Sequence, residues 1–178
     1  MVNWEVFEKP MYKLYEALVE CRLDEVKELL SANLDLDIHR ISESEKWSYL
    51  HKVSKTNDTP PETIEFLIAE GLDVNAIDNY QRTPLFWAVC CKNVDVVRVL
   101  LENGADKLID HKDRAGKTLL CYVHESYEMI KLLLDAGANP DNPLAEVEGA
   151  RSFREYVIDA QDYHPPIPQE IVDLVAKY

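Results

Sequence analysis

Apolar residues recur along this chain in short bursts at helical spacing, and each burst closes on a residue that tolerates positive φ. Between Asp78 and Gly104, Leu85, Ala88 and Val89 share one face of a first short helix, and Val96, Val97, Leu100 and Leu101 form one stripe of a second. Thr83 followed by Pro84 predicts where the first helix starts: a side-chain oxygen for the free N–H groups, then a residue with no N–H to leave unpaired. Lys92-Asn93 breaks the pattern between the helices and Gly104 ends it. A helical hairpin with a single apolar side has no closed core of its own, so it must stack on similar units.

The unit recurs. Gly71, Gly104 and Gly137 stand 33 residues apart, and the positions seven, four and three before them are Ile64, Leu67 and Ile68, then Val97, Leu100 and Leu101, then Ile130, Leu133 and Leu134. Asn33, which also tolerates the left-handed region, gives Val26, Leu29 and Leu30 by the same count. Ile171, Val172 and Val175 imply a fifth hairpin.

A period of 33 with T-P-L-F-W-A at Thr83–Ala88, V-V-R-V-L-L-E-N-G-A-D at Val96–Asp106 and D-V-N-A-I-D at Asp73–Asp78 resembles the ankyrin repeat. The likeness is strong over Asp73–Ala105, good over Asp113–Asp141 and carried by spacing elsewhere. It implies an all-α fold, an ankyrin-repeat solenoid of about five helix-turn-helix units with short finger loops. One domain would cover residues 1–178: a capping repeat 1–40, repeats 41–77, 78–112 and 113–142, and a C-terminal capping repeat 143–178.

The departures from the period are informative. From Ser48 to Gly71 is 23 residues, against 21 from Thr83 to Gly104, so the second unit has a longer inter-helix loop at Thr56–Pro61. Thr59 and Glu62 have capping-box spacing there, around Pro60. Only 19 residues separate Thr118 from Gly137, which predicts a tight turn at Val123–Tyr127. Gly104 to Thr118 is 14 residues where Gly71 to Thr83 is 12, which predicts a protruding finger at Leu108–His111. In the first unit Leu14, Ala17 and Leu18 make the inner face, with Phe7, Met11 and Tyr12 expected to cover its edge. In the last, Ser152 and Glu155 form a capping box, Phe153, Tyr156, Val157 and Ala160 one helix face, and His164–Pro168 a stiff connection.

Composition narrows the function. The net charge of −14, from 33 acidic and 19 basic residues, disfavours nucleic acid and anionic membranes as partners and points to a basic protein. No apolar run of about 18 residues exists, and the amino terminus lacks a basic-then-apolar leader, so a cytoplasmic location is expected. Cys21, Cys90, Cys91 and Cys121 show no C-x-x-C spacing and read as reduced packing thiols. There is no glycine-rich phosphate loop and no G-x-S-x-G, and His124-Glu125 lacks the second histidine of H-E-x-x-H. No catalytic residue, cofactor or metal site is therefore expected. His51 stands at the T-P-L-H histidine, which by resemblance bonds backbone within the turn.

In ankyrin proteins the fingers and the exposed side of the first helix line a concave partner-binding face. Carried over position by position, the resemblance implies Ser44, Glu45, Trp47 and Lys52 from the second unit, and Ile77, Asn79, Tyr80, Arg82 and Trp87 from the third. The fourth contributes Arg114, Lys117, Tyr122 and Glu125. Aromatic residues where the repeat does not need them for its core fit a contact cluster; alternatively, Trp87 and Tyr122 simply pack on the neighbouring first helix. Two functions fit a chain expected to be monomeric alone. One is an inhibitor that occludes a basic target, since a small acidic member resembles the bacterial ankyrin immunity proteins that neutralise a cognate toxin. The other is an adaptor that holds its partner without blocking it.

Overall fold

Thr83 accepts the Phe86 N–H at 3.3 Å, Pro84 opens the helix, and the chain leaves the hairpin through Gly104 at φ +88°. The same construction repeats through the computed structural model, which describes residues 4–32, 36–123, 126–144, 149–160 and 167–178. The helices are α1 (Trp4–Val19), α2 (Leu23–Ala32), α3 (Tyr49–Ser54), α4 (Pro61–Ala69), α5 (Pro84–Cys90), α6 (Val94–Glu102), α7 (Tyr127–Asp135), α8 (Phe153–Asp159) and α9 (Gln169–Val175). Among the described residues the only extended pairing is an isolated antiparallel bridge between Pro143 and Ser152.

The helices stack in two layers. The first helices α1, α3 and α5 pack in series, and the second helices α4, α6, α7 and α9 do the same behind them. Leu14 and Leu18 of the first unit, Leu50, Ile64 and Leu67 of the second, Leu85 and Leu100 of the third and Leu133 of the fourth are fully buried between the layers. Tyr156, expected on one helix face with Phe153, Val157 and Ala160, is instead 45% exposed while those three are buried; Tyr12, expected to cover the edge of the first unit, is 61% exposed; and Asn33 and most of the His164–Pro168 connection lie outside the described residues.

Three expectations are corrected. Residues 124–125 of the turn expected at Val123–Tyr127 lie outside the described residues, and the deficit of the fourth unit falls on its first helix, which shrinks to the 3-10 turn Leu119–Cys121. A concavity of about 840 Å³ opens beside that turn, lined by Leu120, Val123, Ile130, Phe153 and Val157 among others. The finger at Leu108–His111 does not protrude. Its extra residues wind into the 3-10 turn Ala105–Leu108, which drives Ile109 into the core at 8% exposure, because burying that side chain outweighs leaving the loop free. Thr59 is not a cap: α4 starts one residue later on Pro61, and the buried Thr59 hydroxyl donates to the Val53 carbonyl at 2.8 Å, tying the long loop to α3. The Ser152–Glu155 capping box forms as expected.

Candidate partner-binding face

Each finger is organised around one carboxylate. Asp78 is 2% exposed; its Oδ1 accepts the Tyr80 and Arg82 N–H groups at 2.8 and 2.9 Å, closing the finger loop. Asp113, 5% exposed, closes the next finger through the Ala115 and Lys117 N–H groups at 2.9 and 3.1 Å. Between the anchored residues Gln81 and Gly116 take positive φ (+60° and +74°), as Lys46 does in the preceding finger. Only Gly116 adopts that region without steric cost. Neighbouring fingers are bonded in series: the Asn79 N–H donates to the Glu45 carbonyl and the Arg114 N–H to the Tyr80 carbonyl, each at 2.8 Å.

The second oxygen of each carboxylate joins two units. Asp78 Oδ2 receives Nε1–H of Trp47 from the preceding unit at 2.8 Å and of Trp87 from its own at 2.9 Å. Asp113 Oδ2 receives the Arg82 guanidinium at 2.8 Å and the Tyr122 hydroxyl at 2.9 Å. The spacing is identical in both sets, 31 residues back and nine forward. Burial works to raise the Asp113 carboxyl, but the Arg82 guanidinium, the Lys117 N–H and the Tyr122 hydroxyl outweigh it and hold the group below the ordinary carboxylate value. Burial, followed by the bond to Asp113, pushes the Tyr122 phenol up to about 12.

Rings and cations alternate along this row. Trp47 and Trp87 meet edge-to-face with centroids 5.3 Å apart, and Lys55 Nζ sits 4.6 and 4.8 Å from the two rings. Arg82 lies 4.8 Å from Phe86 and 5.0 Å from Trp87. Lys52, over the Tyr49 ring at 4.9 Å, is held below its usual ammonium value by burial, with Arg40 adding to the effect. His51 is also buried: its Nδ1 accepts the Ser48 N–H, which leaves the proton on Nε2 facing the Arg82 carbonyl at 3.2 Å. Cys90, whose thiol burial pushes up to about 11, stays protonated at neutral pH and is a poor nucleophile.

The structure thus brings Glu45, Trp47, Asn79, Tyr80, Arg82, Trp87, Arg114, Lys117 and Tyr122 onto one continuous row, with Ile77 leading into the third finger. Glu125 lies outside the described residues. Their roles divide. Trp87 is buried, and Trp47, Arg82 and Tyr122 are half-buried and bonded, so these four support the face. Ile77, Asn79, Tyr80, Arg114 and Lys117 are exposed on it. Sequence reasoning missed Asp78, Asp113 and Lys55. The 35-residue offset between the two aspartates, each nine residues before an aromatic side chain, was a usable signal for the first two.

The acidity of the chain is not spread evenly. Helices α2, α4, α6, α7 and α9 of the outer layer carry eleven acidic and three basic residues. The finger face instead mixes Glu43, Glu45 and Lys46 at its second-unit end and presents Arg114 and Lys117 at its fourth. The overall charge is negative, while the third and fourth fingers present aromatic, amide and cationic groups.

A family profile described as ankyrin repeats (3 copies) matches residues 14–110. The chain is 32% identical over 108 residues to the ankyrin repeat, SAM and basic leucine zipper domain-containing protein 1 of Equus caballus, which is 58% of this chain and 22% of that protein. The protein of the same name from Microcebus murinus is 29% identical over 149 residues, 82% of this chain and 28% of the relative. A putative ankyrin repeat protein of Fowlpox virus (strain NVSL) is 37% identical over 89 residues, 49% of this chain and 20% of the viral one. The matched stretches are thus no more than 28% of these relatives.

Proposed function

The chain belongs to the ankyrin-repeat family, a protein–protein interaction fold, and we propose from this that its finger face holds a partner protein without catalysing a reaction. One observation carries the reading. The fingers are locked by Asp78, Asp113 and the bonds between successive loops, while Ile77, Asn79, Tyr80, Arg114 and Lys117 stand exposed on the locked row. Side chains presented on an ordered frame lose little further freedom on docking, which is what a recognition surface needs.

The partner in this reading is a basic protein, and binding inhibits it. The −14 charge, concentrated on the outer layer, supports long-range attraction of such a partner, and the resemblance to bacterial ankyrin immunity proteins supports inhibition. The test begins with affinity purification of the tagged chain from its native cell, followed by reconstitution with the co-purified protein. Tyr80→Ala should weaken the complex by about 2–4 kcal/mol through faster dissociation, with a melting temperature near the parent's. Undiminished affinity when Tyr80 and Arg114 are both replaced by alanine would move the interface off the fingers. A partner that keeps full activity in the complex would make the chain an adaptor.

A further inference from the structure

We propose that the Trp47–Trp87 indole pair is a binding site for a cationic side chain of the partner, occupied in the free protein by Lys55 as a placeholder. The proposal rests on the docking function above, which it sharpens. Two rings set at 73° with centroids 5.3 Å apart form a two-walled corner, and the Lys55 ammonium lies within 4.8 Å of both centroids. That is cation–π geometry, in which the negative face of each indole attracts the charge.

The corner is electronically reinforced. Both indole N–H groups donate to one oxygen of Asp78, a buried carboxylate whose four hydrogen bonds all come from neutral N–H donors. Donation to an anion pushes electron density into the rings and leaves a negative charge behind them. No cation lies within ion-pair distance of Asp78 among the described residues; positive charge reaches it only across the rings, from Lys55 over both indoles and from Arg82 5.0 Å from Trp87, and Arg82 is already paired with Asp113. The next unit solves the same problem differently: there Arg82 pairs directly with Asp113, and no indole corner exists.

Lys55 fills the corner lightly. Its residue is exposed, and among the described residues its ammonium makes no hydrogen bond or ion pair; its backbone is what is anchored, the N–H donating to the Val53 carbonyl and the carbonyl accepting the Cys91 thiol at 3.1 Å. The flexible stem can swing into water without disturbing that anchor. A contact of this kind is weak while solvated and strengthens when a docked partner excludes water. A lysine or arginine of a basic partner, desolvated in the complex, therefore displaces the chain's own ammonium. Tyr80, exposed and 6.5 Å from Trp87, stands beside the entry.

The test needs no identified partner. In a Trp4→Phe background, where only Trp47 and Trp87 report, tetramethylammonium chloride is titrated against sodium chloride at equal ionic strength. Lys55→Ala should give a saturable fluorescence change at least tenfold tighter than the parent, abolished by adding Trp47→Leu. Lys55→Gln should move in the same direction, and it decides the matter if the alanine variant is unstable. Equal responses in parent and variants, or none in either variant, would overturn the site. Once the partner is in hand, Lys55→Ala should tighten its binding about three- to tenfold. Weaker binding would mean instead that Lys55 contacts an acidic partner directly. A silent corner combined with loss of binding in Tyr80→Ala would remove this inference and leave finger-face docking intact.

Discussion

Asp78→Ala is the substitution that most directly probes how the face is built. The carboxylate receives four N–H groups at 2.8–2.9 Å and is almost entirely buried. Alanine leaves all four without that acceptor. The Trp87 N–H and one finger amide have little access to water, and an unpaired buried donor costs about 1–3 kcal/mol. The half-exposed Trp47 ring and the second finger amide can rebond to solvent and lose about 0.5–1.5 kcal/mol each. The positive φ of Gln81 also loses the bonds that hold it. With partial relaxation the total is about 3–6 kcal/mol, a large share of the roughly 5–15 kcal/mol available to a typical domain. Urea unfolding followed by tryptophan fluorescence should show the midpoint falling by about 2 M at a typical slope of about 1–3 kcal/mol per M. Asp78→Asn, which keeps one carbonyl acceptor, should lose about half as much. A loss below about 1 kcal/mol for Asp78→Ala would refute the view that this carboxylate couples the second and third units.

The remaining predictions concern packing, pH and backbone strain. Leu100→Ala and Leu133→Ala, both at fully buried sites, should each cost about 2–5 kcal/mol in chemical denaturation, whereas Leu108→Ala should cost under about 1 kcal/mol and less than Ile109→Ala. Because the Asp113 carboxyl is held below its ordinary value of 3.8, its stabilisation is complete above about pH 5 and is lost as pH falls through 3.8 toward the depressed native value. Denaturation of the parent and Asp113→Asn across pH 2–7 should show the stability gap between them shrinking over that window; a constant gap would contradict the assignment. Gln81→Gly should raise stability by about 0.5–1 kcal/mol by relieving a left-handed residue, and Gly116→Ala should lower it by about 1–2 kcal/mol, both read as shifts in the denaturation midpoint.

The hairpin period was legible because two local rules agree at each unit: apolar residues at helical spacing, then a residue that tolerates positive φ. Thr83-Pro84 and Gly104 mark the third unit without reference to any other part of the chain. Where only spacing was available, the inference weakened. The residue deficit in the fourth unit identifies the unit but not the segment that absorbs it, because a missing pair of residues can be taken from a loop or from a helix, and Leu119–Cys121 gave up its helix. The surplus before Thr118 predicts a protrusion, yet Ile109 finds a buried position that a local pattern does not contain.

The sequence by itself determined the repeat, its register and the residues that fall on the finger row, since these follow from chain geometry and short-range sterics. Which of those residues are presented and which are consumed was decided only by stacking. Trp87 is an exposed aromatic candidate in a single hairpin, but against the second unit it is buried and hydrogen-bonded to Asp78, while Tyr80 seven residues earlier stays open. Lys55 is an unremarkable loop cation until Trp47 and Trp87, 40 residues apart, close around it. Contacts between units depend on side chains that are distant in sequence and adjacent only after the hairpins pack, and the chemistry of this face resides in those contacts.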